Sequence, residues 1–188
     1  MQIKRISPKA LAEADKFQIS ILQPHGRRVR SFSYIQRQYK KHPSLFIACF
    51  NPSIVGIVFG FVKRDKVLLG ELAVKKEFRK KGIGLKLVNA LAKEAKALGK
   101  KEICLGAQPA AEKFYLKAGF KPVLFAQIRH KDVPKDYLHK GFEIEKETNY
   151  KDAKRLFIHV NKYDKRLKEK AKKALNAYDV IYLFVKKL

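Results

Sequence analysis

A short basic segment with two glycines carries the most distinctive chemistry in this sequence. It reads Arg79-Lys80-Lys81-Gly82-Ile83-Gly84 and follows the apolar stretch 67–74 directly. A strand, a glycine-containing turn and a helix in that order direct main-chain N–H groups toward phosphate. Glycine lets the backbone approach closely, and the start of a helix carries a partial positive charge. The segment therefore predicts a pyrophosphate site.

Spacing excludes two familiar phosphate-binding motifs for this segment. The P-loop needs Lys-Ser or Lys-Thr after its glycines, and the dinucleotide fingerprint needs a third glycine where this chain has Leu85-Lys86-Leu87. The remaining alternative is a solvated basic turn or a nuclear-localisation-like cluster. An apolar strand on one side and an amphipathic helix on the other disfavour that alternative.

A second segment downstream supports the interpretation of the first one. Residues 111–120 read Ala-Glu-Lys-Phe-Tyr-Leu-Lys-Ala-Gly-Phe, which alone is typical of a packed helix with a glycine cap. In this order, R-x-x-G-x-G after a strand and A-x-x-F-Y-x-K-x-G-F resemble the signatures of the GNAT acetyltransferase superfamily. The resemblance covers about residues 1–148. It implies a GNAT-like α/β fold with a mixed sheet, and acetyl-CoA as cosubstrate.

The resemblance also implies which residues hold acetyl-CoA. Main-chain groups of Leu72 and Val74 would bind the pantetheine arm, and N–H groups from Lys81 through Leu85 would meet the pyrophosphate. Arg79 has the alternative of packing against the strand. Gln108 stands where many relatives carry Asn, so its amide is displaced by one methylene. The full predicted cofactor set is Leu72, Ala73, Val74, Arg79, Lys80, Lys81, Gly82, Ile83, Gly84, Leu85 and Gln108.

Two side chains are predicted to be catalytic. Tyr115 matches the family tyrosine that protonates the departing thiolate, with a core tyrosine as the alternative. Glu71 is the acidic side chain of the apolar strand 67–74, and it is the local candidate for the base that deprotonates the amine. Its alternative is a glutamate that is satisfied by a nearby Lys or Arg at the strand edge.

The composition of the chain indicates which kind of partner it binds. Its 188 residues are 46% hydrophobic and 11% aromatic, which predicts a folded core. The 43 basic and 17 acidic residues give a net charge of +26. A coenzyme site accounts for only a few of these charges, so the excess predicts a polyanionic partner such as RNA or the ribosome. The alternative is a cationic surface that serves solubility alone.

Other features point to a cytoplasmic protein without a metal. The longest apolar run, 54–62, is too short to span a membrane, and we expect neither a membrane segment nor a signal peptide. Cys49 and Cys104 lie in apolar stretches and are expected to be reduced core thiols. The histidines lack ligand spacing, so no metal site is predicted. The oligomeric state stays open.

The elements that position these residues can be read from periodicity. Strands are predicted at 3–6, 45–50, 54–63, 67–75, 101–107 and 120–128, and helices from Ser7, at 31–41, at 82–98 and at 109–118. Leu11, Ala14, Phe17 and Ile19 approximate the apolar face of the first helix. Residues 149–188 form a second predicted part, a basic strand–helix–strand extension that docks on the sheet or on a partner. Its strands are predicted at 155–160 and 180–185, and its helix at 164–178 with Asp164 as the N-cap.

These readings give two hypotheses for function. The first is an N-acetyltransferase that acts on a primary amine of a protein or of a nucleic-acid-associated acceptor. Basic segments at 25–28, 37–41 and 129–131 lie in regions that build the acceptor site in this fold, and their charge would repel a free polyamine. The second is a GNAT-fold protein that binds RNA or ribosomes with little or no catalysis.

Overall fold

A computed structural model describes residues 1–22 and 30–188 of the chain. They divide into two compact units, one of residues 1–104 with 187–188 and one of residues 105–186. The predicted family boundary near residue 148 is a different kind of division, and it stays a prediction.

The first unit contains a mixed sheet, as the sequence predicts. Its strands β1 to β4 pair antiparallel in chain order, and the start of β5 pairs parallel with the start of β4. The elements are β1 (Gln2–Arg5), α1 (Leu11–Leu22), α2 (Phe32–Lys41), β2 (Phe46–Asn51), β3 (Ser53–Lys63), β4 (Lys66–Val74), α3 (Ile83–Ala97) and β5 (Glu102–Gly106), whose last residues belong to the second unit.

Local signals in the sequence set several of these boundaries. Ser7 caps a short turn that begins at Pro8 and leads into α1, as predicted. Ser31 caps α2, where its Oγ accepts a hydrogen bond from the N–H of Tyr34 at 3.2 Å. The helix α3 ends before Gly99, which has φ of 68°. These caps explain why the helices begin and end where the sequence indicates.

The buried face of α1 differs from the predicted one. Leu11 and Ala14 are buried as expected, but the stripe continues through Asp15 and Gln18. Phe17 and Ile19, which were assigned to that face, are half-buried. The sequence prediction followed apolar residues, whereas the helix turns a carboxylate and an amide inward.

The second unit is built around strand β6. Its other strands pair in the order β9, β6, β8, β7, all antiparallel. Strands β8 and β9 come from the predicted extension, and they pair with the two edges of β6. The elements are α4 (Glu112–Lys117), β6 (Lys121–Arg129), β7 (Ile144–Tyr150), β8 (Ala153–Ile158), α5 (Arg166–Ala174) and β9 (Asp179–Lys187).

Two details of this unit depart from the sequence reading. Strand β7 was not predicted, because its sequence Ile-Glu-Lys-Glu-Thr-Asn-Tyr lacks apolar alternation and its residues are largely exposed. Helix α5 is shorter than predicted, and Lys165 rather than Asp164 occupies its cap position. Asp164 still helps the helix begin, since its Oδ1 accepts from the N–H of Arg166 at 2.9 Å.

A buried carboxylate ties α5 to α4 within the second unit. Glu112 is 1% exposed, and its Oε1 lies 2.6 Å from Nζ of Lys168. Its Oε2 accepts a hydrogen bond from the Tyr163 hydroxyl. Burial, followed by the Glu112 carboxylate, raises the pKa of Tyr163, so that hydroxyl stays a proton donor at neutral pH.

Replacing Lys168 with methionine is expected to destabilise the protein. The change leaves Oε1 of Glu112 buried without its charged donor, which costs about 1–3 kcal/mol of unfolding free energy. Lys170→Met removes an exposed lysine from the same helix and serves as the control. Urea denaturation of both variants measures the difference, and equal stabilities would contradict the structural role of the Glu112 network.

Candidate active site

The turn between β4 and α3 presents unpaired main-chain donors. Gly82 is the N-cap of α3, with φ of 77°, and it supplies no capping side chain. The first intrahelical bond runs from the N–H of Lys86 to the carbonyl of Gly82, at 3.0 Å. The N–H groups of Ile83, Gly84 and Leu85 therefore have no acceptor within the helix. Together they form an N-terminal anion site of the kind that binds phosphate.

Cations surround this turn, but they are placed differently. Lys80 and Lys81 are exposed, and Nζ of Lys81 lies 5.5 Å from the ring centroid of Phe78. The Nε–H of Arg79 donates to the carbonyl of Val74 at 3.0 Å. Arg79 thus anchors the turn to the strand end, which was the alternative open from the sequence. Its role in binding a cofactor stays a prediction.

Strand β4 has an edge that the described strands cover only in part. Strand β5 pairs with residues 66–68 of β4, and no strand among the described residues pairs with that edge from Leu69 to Val74. The N–H of Lys75 donates to Val55 in β3 at 2.9 Å. By alternation, main-chain groups of Leu72 and Val74 point to the opposite edge, and those of Ala73 point to β3. An extended ligand could add to this edge as a strand does.

Glu71 is buried on the same strand and paired with a guanidinium. Its side chain is 8% exposed and accepts a hydrogen bond from Nη1 of Arg30. The Cζ atom of Arg30 lies 5.0 Å from the ring centroid of Phe61. Burial raises the pKa of Glu71, Arg30 opposes the shift, and Asp15 adds to it. A carboxylate with a raised pKa is suited to accept a proton near neutral pH.

Tyr115 and Gln108 lie in the second unit. Tyr115 is 7% exposed in α4, and its ring packs 5.1 Å from Phe114 and 5.5 Å from Phe120, centroid to centroid. This packing gives it a structural role beside the predicted catalytic one. Gln108 is exposed, and its carbonyl accepts from the N–H of Ala111 at 2.8 Å, which fixes the turn before α4.

A comparison with known protein families shows to which family this chain belongs. It matches the model of the family described as acetyltransferase (GNAT) domain over residues 17–133, which is well over half of the chain. This chain belongs to the GNAT acetyltransferase family. It is therefore an acetyl-CoA-dependent N-acyltransferase, and acetyl-CoA is its cosubstrate. No curated protein sequence matches the chain.

Solved structures share the GNAT fold at low sequence identity. An acetyltransferase from Pyrococcus horikoshii aligns with a TM-score of 0.59 and 13% identity over 100% of this chain and 89% of that one. The ribosomal-protein-S18-alanine N-acetyltransferase of Escherichia coli gives 0.55 and 16%, over 87% and 99%. N-acetylglutamate synthase from Neisseria gonorrhoeae, complexed with coenzyme A, gives 0.51 and 16%, over 85% and 35%.

The local geometry of the GNAT domain fits coenzyme A. The donors at the start of α3 suit a diphosphate, and a Cβ built on Gly82 would meet nothing within 4 Å, so the turn is open to a ligand. The outward N–H and carbonyl of Leu72 and the N–H of Val74 suit an amide-containing arm. Lys80 and Lys81, which are exposed, add positive charge beside the turn. The assignment of these residues to coenzyme A remains a prediction that the geometry supports.

Sequence reasoning missed two residues that act on Glu71 in the GNAT domain, Arg30 and Asp15. It also missed Gln18, which donates a hydrogen bond to Asp15; Asp15 and Gln18 are each 2% exposed on α1. A signal was present, because Leu11, Asp15 and Gln18 recur at helical spacing. A polar pair within the buried stripe of a helix is uncommon enough to mark a possible site.

The three basic segments that were predicted to lie near the acceptor site are found in different parts of the chain. Residues 25–28 lie outside the described part of the chain. In α2, Lys40 and Lys41 are exposed, but Tyr39 is buried and donates to the carbonyl of Ile6 at 2.8 Å. Segment 129–131 lies in the second unit, where Cζ of Arg129 is 5.9 Å from the ring centroid of Tyr178.

Residues 1–22 and 30–188 were compared with the requirements of a metal site and of a membrane-spanning helix, and they meet neither. No cluster of His, Cys, Asp or Glu in these residues could hold a metal ion. Their helices include none of the length and apolarity needed to cross a bilayer. Cys49 and Cys104 are free thiols, and burial raises the pKa of both.

Proposed function

We propose that this GNAT protein transfers an acetyl group from acetyl-CoA to a primary amine on a protein or on a nucleic-acid-associated acceptor. The observation that carries the proposal is the buried Glu71, which lies on β4 within the segment whose outer edge is open and before the α3 turn. The net charge of +26 favours an amine displayed on an anionic carrier. A cytoplasmic location, which free thiols favour, is part of the proposal.

Each residue has a defined task in this proposal. Leu72 and Val74 align the thioester arm through their outward main-chain groups, and the α3 turn holds the diphosphate end. Bound acetyl-CoA supplies the acetyl group as an activated thioester. Holding that thioester and the amine in register supplies much of the rate enhancement, because it removes the entropy cost of a bimolecular encounter.

The proton balance assigns one acid and one base. The acceptor arrives as an ammonium and gives a proton to the Glu71 carboxylate, either directly or through water. The neutral amine then forms the N–C bond with the acetyl carbon while the C–S bond breaks. The departing thiolate takes a proton from an acid, which is the role that the family resemblance predicts for Tyr115. The nitrogen loses its second proton to water as it becomes the amide, the acid is reprotonated from water, and the proton held by Glu71 is released to solvent, so that one proton is set free in each turnover.

Acceptor competition tests the proposed function. Radiolabelled acetyl-CoA is offered with spermidine or with an acidic peptide that has a free N-terminal amine and no lysine. We expect the peptide to be acetylated about tenfold or more efficiently, because the cationic surface attracts it and repels the polyamine. The same peptide with a blocked N terminus is the control. Labelling of spermidine but not of the peptide would contradict the proposal.

RNA binding is a second candidate, favoured by one feature of the second unit. Tyr150 and Tyr178 are 51% and 48% exposed, and each has an arginine over its ring: Cζ of Arg155 lies 3.9 Å from the first centroid, and Cζ of Arg129 lies 5.9 Å from the second. Tyr150 and Arg129 both pair with Ala153, so they share one end of the sheet. Exposed rings with cations suit stacked bases of single-stranded RNA.

The salt dependence of RNA binding tests this candidate. Replacing Arg129 and Arg155 with glutamine should lower the slope of log affinity against log salt by about 1.4, since each phosphate contact on a single strand contributes about 0.7. Lys63→Gln with Lys93→Gln removes equal charge from exposed sites in the first unit. Equal slopes for the two double variants would remove Arg129 and Arg155 from the interface.

A further inference from the structure

Helix α5 of the second unit turns a row of cations to solvent. Together with the segment just before it, the helix exposes a set that we call the basic face: Lys162, Lys165, Arg166, Lys170, Lys172 and Lys173. None of these residues pairs with a carboxylate within residues 1–22 and 30–188. Lys168 of the same helix differs, because it turns inward to Glu112. The basic face therefore carries charge that internal ion pairs do not use.

The opposite side of α5 takes up its apolar residues. Ala171 is buried, Leu167 and Ala174 are half-buried, and Leu175, just after the helix, is buried. The basic face has no apolar side chain to insert into a lipid surface, which an interfacial helix requires. A surface that has positive charge without an apolar patch complements a hydrated polyanion.

An open groove continues this surface from the end of α5 toward an exposed ring. It measures about 520 Å³, and it is lined by Asp132, Glu169, Lys172, Lys173, Asn176 and Ala177. The next residue, Tyr178, is 48% exposed, and Cζ of Arg129 lies 5.9 Å from its ring centroid. Asp132 and Glu169 balance the two lysines in the groove, so we expect phosphates along the basic face and not in the groove. Phosphate-binding cations and a stacking ring thus adjoin within one unit.

We propose that the basic face of α5 binds the phosphates of a single RNA strand whose bases reach Tyr178. The inference rests on the second candidate function, RNA binding, and adds the element that holds the backbone. Contacts to phosphate are independent of sequence, and an aromatic ring stacks on any base. The surface therefore fits single-stranded RNA of no fixed sequence. An acidic protein would match the charge but would leave the exposed ring and its arginine without a role.

A salt titration of RNA binding tests the basic face. The probe is a fluorescent oligouridylate of about twelve nucleotides, followed by anisotropy. Lys170→Gln with Lys173→Gln should lower the slope of log affinity against log salt by about 1.4, since each phosphate contact on a single strand contributes about 0.7. Lys93→Gln with Lys96→Gln is the control, because these exposed lysines hold the matching positions near the end of α3 in the first unit. Glutamine is as good a helix former as lysine, so both helices should be kept.

Two single changes make the test sharper. Glu169→Gln removes an exposed acid from the outer side of α5 and should raise RNA affinity about two- to fivefold, whereas Glu13→Gln, at an exposed position on α1, should leave it unchanged. Tyr178→Ala should lower the affinity about fivefold or more at every salt concentration without changing the slope, because a stacked base is lost and no phosphate contact.

The outcomes separate this inference from the candidate function on which it rests. Equal slopes for the two double lysine variants would overturn the basic face and leave RNA binding at Arg129 and Arg155 standing. Failure of the unaltered protein to bind the oligouridylate in a salt-dependent way would overturn the candidate function itself. Binding of polyglutamate that depends on Lys170 and Lys173, when RNA binding does not, would assign the surface to an acidic protein and overturn the proposal.

Discussion

Replacing Gly82 with valine is expected to weaken acetyl-CoA binding by about ten- to a hundredfold, the equivalent of one or two lost charge-assisted hydrogen bonds. Gly82 adopts φ of 77°, where a β-branched residue is strained, so the change should distort the cap of α3. It also adds a side chain beside the unpaired N–H groups of Ile83 and Gly84. Isothermal titration calorimetry with acetyl-CoA measures the effect.

The other end of the same helix offers a matched control. Gly99 has φ of 68°, and a Cβ built there would also meet nothing within 4 Å. Gly99→Val should therefore cost about as much stability as Gly82→Val, on the order of 1–2 kcal/mol, without touching the proposed anion site. Similar losses of acetyl-CoA affinity in both variants would show that general destabilisation, rather than loss of the anion site at the start of α3, weakens the binding.

Gly84→Leu distinguishes a loss of acetyl-CoA contacts from a loss of folding stability. Leucine is a better helix former than glycine by up to about 1 kcal/mol, so α3 should be kept or strengthened. The larger side chain should still block close approach to the first turn. A variant that is at least as stable as the unaltered protein but binds acetyl-CoA more weakly would assign the loss to the ligand contact.

Replacing Glu71 with glutamine is expected to lower kcat by about 10²- to 10⁴-fold, which is the usual contribution of a general base. The amide keeps the shape of the side chain but cannot accept the proton of the ammonium. Acetyl-CoA affinity should stay unchanged, because the proposed binding groups on β4 are main-chain atoms. Glu77→Gln, at an exposed position after the same strand, is the control.

The pH dependence of activity tests the role of Glu71 as the base independently. Burial raises the pKa of its carboxyl, so activity should fall as the pH drops through a value above the ordinary glutamate range. Arg30 lowers that pKa, and Arg30→Met should therefore move the acid limb to higher pH. An acid limb that stays in place when Arg30 is changed, or that survives Glu71→Gln, would show that another group is the base.

Much of the fold follows from local sequence signals. The mixed sheet, the cap at Ser7, the start of α2 near Ser31 and the turn at Gly82 were all readable because each depends on neighbouring residues. The same holds for the predicted pyrophosphate site, since a strand end, a glycine and a helix start are contiguous in the chain. Strand β7 was missed because an exposed edge strand needs no apolar alternation.

The surroundings of Glu71 could not be read in this way. Arg30 lies 41 positions from Glu71 in sequence, and the two meet only when the sheet and the segment before α2 have folded together. The carboxylate of Asp15 was hidden for a related reason. A polar residue in a helix is read as solvent-facing by default, and only the tertiary packing of α1 turns it inward.

The most direct test of the account is a titration of ¹⁵N-labelled protein with coenzyme A, followed at backbone amides. We predict large shifts for Ile83, Gly84 and Leu85 at the start of α3 and for Leu72 and Val74 on β4, with little change at the far end of α3. Tight binding that leaves these five amides unmoved, or the absence of binding, would contradict the assignment of the β4 edge and the α3 turn to the coenzyme.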